Sequence, residues 1–204
     1  MQPDLAKFVT AHLNRPIILT GMMGTGKSHL GRLLAQMLKV QFFDSDTVIE
    51  QQESMSIAEI FSERGEPAFR EIERRVISDL IAAPDQSGTR VKVISLGGGA
   101  VTDGKTRELL AEKALTVWID TSLDNIWKRI KWNTSRPLLA CENPRKALED
   151  LMHKRRELYA TADLRFVPIE DHCEASVKKM LRIVTDYIEH HEQPTKAKPE
   201  NERK

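Results

Sequence analysis

Apolar positions along the chain fall into two patterns. Short apolar-rich runs, Ile17–Thr20, Val40–Phe43, Val91–Leu96, Leu115–Ile119 and Leu164–Ile169, read as strands, with Ile17–Thr20, apolar or small throughout, as a buried one. Between them, apolar residues recur at helical spacing. Leu30, Leu33, Leu34, Met37 and Leu38 mark one helix, and Phe69, Ile72, Val76 and Leu80 another that ends before Pro84. Leu123, Ile126, Trp127 and Ile130 mark a third behind a Ser122 cap, and Val177, Met180, Leu181, Val184 and Ile188 a last one. Shorter helices are expected over Thr47–Gln52, from the Ser56-x-x-Glu59 capping box to about Gly65, from Thr102 or Asp103 to about Ala111, and from Pro144 to about Tyr159. Pro67 suits a first helical position, and Pro168 marks the fifth strand as an edge strand.

Strands alternating with helices predict a three-layer α/β/α domain around a mainly parallel, five-stranded sheet. In such sheets ligands sit beyond the carboxyl ends of the strands. Three unusual stretches fall at those ends: Gly21–Ser28, Asp44-Ser45-Asp46 and Gly97-Gly98-Gly99. They are expected to share one crevice. Residues 15–190 form the predicted domain. Residues 1–14, with Leu5, Phe8, Val9 and Leu13, are an extension expected to pack outside the core or against a partner. Residues 191–204 lack apolar anchors after the last helix and are expected to be a disordered tail.

Composition narrows the function classes. The 204 residues carry 31 basic and 30 acidic side chains, a net charge of +1, so a general nucleic-acid surface is not expected and any anion site must be local. Two cysteines, Cys141 and Cys173, do not make a disulfide framework. No signal peptide or membrane span is legible, and a cytoplasmic protein with no membrane partner is the expectation.

The chemistry starts with Gly21-Met22-Met23-Gly24-Thr25-Gly26-Lys27-Ser28, which fits the Walker A pattern G-x-x-x-x-G-K-[ST]. It joins a strand to a helix, so successive N–H groups and the helix dipole can hold phosphate. Lys27 would reach the β- and γ-phosphates of ATP, and Ser28 would ligate Mg²⁺. Asp44 and Asp46 lie two apart and would share a side if strand geometry continued that far. One could hold the metal and the other orient or deprotonate an acceptor hydroxyl; alternatively Asp46 caps the next helix. Gly97–Gly99 could offer N–H groups to a substrate, or simply form a tight turn. Arg70 sits early in a helix, where a positive charge opposes the dipole, so an outside anion or a carboxylate such as Glu73 would explain it. Arg136, in the polar segment 132–143, suits a mobile lid that closes on phosphate.

Together these motifs resemble the shikimate kinases, small P-loop kinases of the nucleoside-monophosphate-kinase class. The likeness is carried by the Walker A stretch, Phe43-Asp44-Ser45-Asp46, Gly65-Glu66 with Phe69-Arg70 and Glu73, Leu96–Ala100, and Arg136-Pro137-Leu138-Leu139 followed by Lys154-Arg155 and Leu158-Tyr159. The resemblance implies transfer of the ATP γ-phosphate to the 3-hydroxyl of shikimate by a monomer. It implies that Gly24, Thr25, Gly26, Lys27, Ser28, His29, Arg129 and Arg136 bind ATP, with Arg129 on the adenine. It assigns shikimate to Asp46, Arg70, Gly97, Gly98, Gly99 and Arg155, and Mg²⁺ to Ser28 and Asp44. Asp46, Lys27 and Arg136 are the implied catalytic residues. A related small-molecule kinase, such as a gluconate kinase, is the competing expectation.

Overall fold

The structure, a computed structural model, describes residues 4–84, 89–131, 141–170 and 172–191. Strands β1 (Ile17–Thr20), β2 (Phe42–Asp44), β3 (Val93–Ser95), β4 (Leu115–Ile119) and β5 (Leu164–Phe166) form one sheet in the order β2-β3-β1-β4-β5. Every pairing is parallel. β1 lies in the middle, with Ile17 opposite Val93 on one side and Leu115 on the other. β1, β3 and β4 are buried along their whole length, because helices cover both faces.

One face carries α1 (Leu5–His12), α2 (Lys27–Leu38) and α8 (Cys173–His191), packed on Ile17, Leu19 and Val117. The other carries α4 (Ile57–Ala82), α5 (Gly104–Lys113), α6 (Leu123–Ile130) and α7 (Pro144–Tyr159), packed on Ile18, Ile94 and Trp118. α3 (Ser45–Glu53) docks on α4 through a smaller cluster of Ile49, Ile60, Phe69, Ile72 and Val76. None of the described helices is long and apolar enough to cross a membrane.

The structure corrects several expectations. The N-terminal piece is part of the core: Val9 and Leu13 are buried between α2 and α8, whose apolar stripes would otherwise face water. The two helices expected on either side of Gly65 run as one element, broken only where Gly65 takes φ +78°. The Ser56 capping box is present, with Glu59 answering the Ser56 backbone N–H. β2 begins later than expected and ends on Asp44, and Pro168 follows β5 rather than lying in it, although β5 is indeed an edge strand. A 3-10 turn, Ala100–Thr102, precedes the Asp103-capped α5. His191 still belongs to α8, while residues 192–204 fall outside the described part. Of the expected lid, 132–140 likewise lie outside it, and Arg136 with them.

Lys92 is an unexpected core residue. Its side chain is buried, and its ammonium donates to the carbonyls of Leu80 and Ala83 at the end of α4, 5.9 Å from the ring centre of Phe43. A cation there satisfies carbonyls that the helix cannot pair and complements its dipole. It fixes the far end of the helix that carries Arg70 and Glu73.

Candidate active site

Gly21 leaves β1 at φ +136°, and a Cβ there would lie 2.6 Å from the Ile119 carbonyl oxygen at the end of β4. Only glycine lets the loop turn this close to the neighbouring strand. The loop then wraps the start of α2. Thr25 is buried and donates its hydroxyl to the Met22 carbonyl at 2.9 Å. Lys27 is 8% exposed, and its ammonium donates to the carbonyls of Gly21 and Met22, both at 2.8 Å. Arg129, reaching from α6, donates to the carbonyls of Gly24 and Thr25 at 3.2 Å. His29 is exposed in the first turn of α2, whose N-cap is Gly26.

Next to the loop, the Ser28 hydroxyl donates to Asp44 Oδ2 at 2.6 Å, with the Ser95 hydroxyl 3.4 Å from Ser28 Oγ. Asp44 occupies the N-cap of α3, yet its carboxylate makes no capping hydrogen bond and turns to Ser28 instead. Asp46 is therefore not the cap: it lies inside the first turn of α3, where its charge suits the dipole. Since β2 stops at Asp44, strand alternation does not place the two carboxylates. The turn into α3 separates them, Asp44 towards Ser28 and Asp46 towards Gly97. Ser28 and Asp44 are hard oxygen donors, a set that suits Mg²⁺, which usually takes one or two protein groups and completes its shell with water and phosphate. No cluster of three or more His, Cys, Asp or Glu able to hold a metal occurs among the described residues.

The triple glycine follows β3. None of its three residues has positive φ, so a turn of that kind is not why glycine stands here. Its use is clearance. A Cβ on Gly97 would lie 2.5 Å from Asp46 Oδ1 and 3.1 Å from Glu73 Oε1, and one on Gly99 would lie 2.6 Å from Arg70 Nη2. One on Gly98 would lie 3.2 Å from the Met23 nitrogen. The segment thus admits a carboxylate pair, a guanidinium and the phosphate loop from three directions. The Gly97 N–H donates to Ser45 Oγ at 3.1 Å, so it serves the fold rather than a ligand.

Arg70 donates to Glu73 Oε2 at 2.6 Å and to Glu66 Oε1 at 3.1 Å. Its position one turn after the Gly65 break explains the charge that the dipole disfavours: carboxylates hold it. Burial pushes the Glu73 carboxyl up to about 7, against the lowering pull of Arg70, and the charges of Asp46 and Asp103 add to the rise. From α7, Arg155 donates to the Gly98 carbonyl at 3.0 Å. Arg156 points elsewhere, 3.9 Å from Asp120 and over the Trp118 ring at 5.4 Å. The expected convergence therefore holds for Lys27, Ser28, Asp44, Asp46, Arg70, Gly97–Gly99 and Arg155. Arg129 lies beside the loop, and Arg136 is outside the described residues. Ser45, Ser95 and Tyr159, to which the sequence attached no role, also face this cluster. The i,i+4 spacing of Arg155 and Tyr159 on one helix was the available signal for the last.

Glu73 carries a stability prediction. Between the ordinary carboxylate range and about pH 7, the folded chain holds a proton here that the unfolded chain has lost. Its contribution is complete below the unfolded pKa and is lost as pH rises through about 7. Chemical denaturation across pH 4.5–8 should show a declining component, on the order of 2–3 kcal/mol at most, that Glu73→Gln removes. Parallel wild-type and variant curves would mean that Glu73 does not titrate in this window.

Comparison with known proteins bears on this cluster directly. Residues 23–185 match the family model described as shikimate kinase. The shikimate kinase of Rhizobium meliloti (strain 1021) is 40% identical over 173 residues, 85% of this chain and 87% of that protein. A shikimate kinase structure from Acinetobacter baumannii, in complex with shikimate, superposes with a TM-score of 0.78 at 32% identity, over 89% of this chain and 97% of that one. A gluconokinase from Sinorhizobium meliloti 1021 shares the fold, with a TM-score of 0.55 at 15% identity over 88% of this chain and 96% of that one. The chain belongs to the shikimate kinase family.

Proposed function

We propose that this protein transfers the γ-phosphoryl group of ATP to the 3-hydroxyl of shikimate, giving shikimate 3-phosphate and ADP, as a step of aromatic amino-acid biosynthesis. The observation that carries this is the grouping of Asp46, Glu73 and Arg70 around Gly97–Gly99, beside the loop that holds Lys27. A small hydroxylated carboxylate needs a fixed cationic fork for its carboxylate and an acceptor for its hydroxyls. Arg70, positioned by Glu73, and Arg155 supply the first; Asp46 supplies the second.

On the nucleotide side, the N–H groups around Gly24–Ser28 cradle the phosphates. Lys27 exchanges the Gly21 and Met22 carbonyls for phosphate oxygens, and Arg129 lays its planar group on the base. Ser28 and Asp44 would hold Mg²⁺, which would supply positive charge to offset that of the phosphates. Arg136 brings a further cation to the γ-phosphate. Asp46 orients the 3-hydroxyl towards phosphorus and receives its proton. The transition state spreads charge over the equatorial oxygens, so Lys27 and Arg136 act mainly by stabilising that charge.

A coupled assay of ADP release with shikimate and, separately, gluconate tests the reading. Turnover with shikimate alone is the expected result. Turnover with gluconate alone would make the protein a gluconate kinase, and nucleotide binding without turnover of either would make it a binding protein.

A further inference from the structure

Tyr159 is a large, wholly buried polar side chain, 2% exposed, in the last turn of α7. Its hydroxyl lies 2.5 Å from the Gly98 carbonyl oxygen and 3.5 Å from Met22 Sδ of the phosphate loop. Its ring stacks on Trp118, with centroids 6.1 Å apart. Burial raises its pKa above the ordinary phenol value, and Arg155 only partly offsets this, so the hydroxyl keeps its proton and donates at any working pH. The Gly98 carbonyl has two lone pairs, and Arg155 Nη1 takes the other at 3.0 Å.

We infer that Tyr159 is a positioning residue for the acceptor: by occupying one lone pair of the Gly98 carbonyl, it restricts Arg155 to a single bond there and leaves the rest of the guanidinium aimed at the acceptor carboxylate. This rests on the shikimate reading above, since it is the acceptor's carboxylate that Arg155 is to meet. A guanidinium fork can place two N–H groups on one carbonyl if nothing else competes for it. With the phenol absent, Arg155 would close onto Gly98, and its donors would turn away from the crevice. The same phenol touches Met22, so it also fixes α7 against the loop on the nucleotide side. That contact is a weak sulfur one, whereas the contact with Gly98 is short. The consequence is asymmetric, falling on the acceptor and not on ATP.

The test is Tyr159→Phe in the full-length protein, which keeps the ring and its stacking and removes only the hydroxyl. KM for shikimate should rise about tenfold, with KM for ATP within twofold of wild type and kcat changed less than KM. Arg155→Lys and the double variant Tyr159→Phe/Arg155→Lys complete a cycle. Lysine lacks the fork, so the tyrosine substitution should have little further effect once Arg155 is lysine. A merely structural tyrosine would lower the thermal midpoint and act equally in both backgrounds, with no split between the two substrates. Either equal KM changes for shikimate and ATP, or an unchanged shikimate KM, overturns the proposal. Absence of shikimate turnover by the wild-type protein would instead refute the functional reading, and it is visible before any variant is made.

Discussion

Replacing Asp46 with asparagine should lower kcat by about 10²-fold or more, within the range for a positioned proton acceptor, while ATP still binds. The substitution keeps the shape of the side chain and one oxygen and removes the charge. On the nucleotide side, the Ser28 hydroxyl is paired with Asp44, and Lys27 donates to the carbonyls of Gly21 and Met22. What Asp46 does face is Gly97 and, beyond it, Glu73. An acceptor hydroxyl held there would lose the carboxylate that turns its lone pair towards phosphorus. A loose transition state asks little of a base early on, so the loss should appear in orientation as much as in proton transfer. Steady-state kinetics paired with calorimetric titration of ATP separate the two sides. Turnover within threefold of wild type would take Asp46 out of the reaction.

Arg70→Ala should weaken shikimate binding by about 10²-fold or more, the scale for truncating one member of a buried charged pair, and spare ATP. Two effects combine. The fork for the carboxylate disappears, and Glu73, 2% exposed, loses the cation at 2.6 Å that makes its charge tolerable. The second effect acts on stability, so circular dichroism must confirm the fold before affinities are compared. Arg70→Lys separates them: it keeps a cation beside Glu73 but not a planar two-pronged donor, so it should restore stability more fully than affinity. Titration of each ligand decides. Undiminished shikimate affinity in the alanine variant would remove Arg70 from the acceptor site.

Much of the fold was legible because the parallel sheet is buried on both faces. Its strands then read as short apolar-rich runs, and β1 and β4 agree with their runs residue for residue. Where burial is partial the signal blurs. β2 is half-buried throughout, and its expected start at Val40 was displaced to Phe42. The side-chain caps at Ser56, Asp103 and Ser122 were legible, whereas those made by Asp4 and Asn143 were not. The cap of α3 was not, because Asp44 has its side chain committed to Ser28. Val9 and Leu13 showed apolar spacing but not its destination, since nothing local tells a helix which distant stripe it will cover.

The candidate site divides in the same way. Lys27 and Ser28 were readable from a local motif. Asp46, Arg70 and Gly97–Gly99 became readable only in combination. The reason for the triple glycine lay in three side chains from elsewhere, and the spacing of glycines says nothing about who needs the room. Likewise, Tyr159 owes its place to the Gly98 carbonyl, 61 positions earlier in the chain, a pairing that no short window of sequence contains.

The central position of β1 has a consequence for the order of events during folding. The strand that launches the phosphate loop is the first of the five to be synthesised, yet both its neighbours come much later, β3 at Val93 and β4 at Leu115. The loop itself leans on Ile119, and Gly24 on Ile130. A nascent chain therefore carries the whole Walker A motif, complete at Ser28, well before the walls that shape it, Ile119 and Ile130, have been made. Long-range parallel pairing of this kind is slow to form. Nucleotide affinity should arise only once residues through α6 have emerged, which makes ATP a reporter of a late, long-range closure rather than of the local turn in which its motif is written.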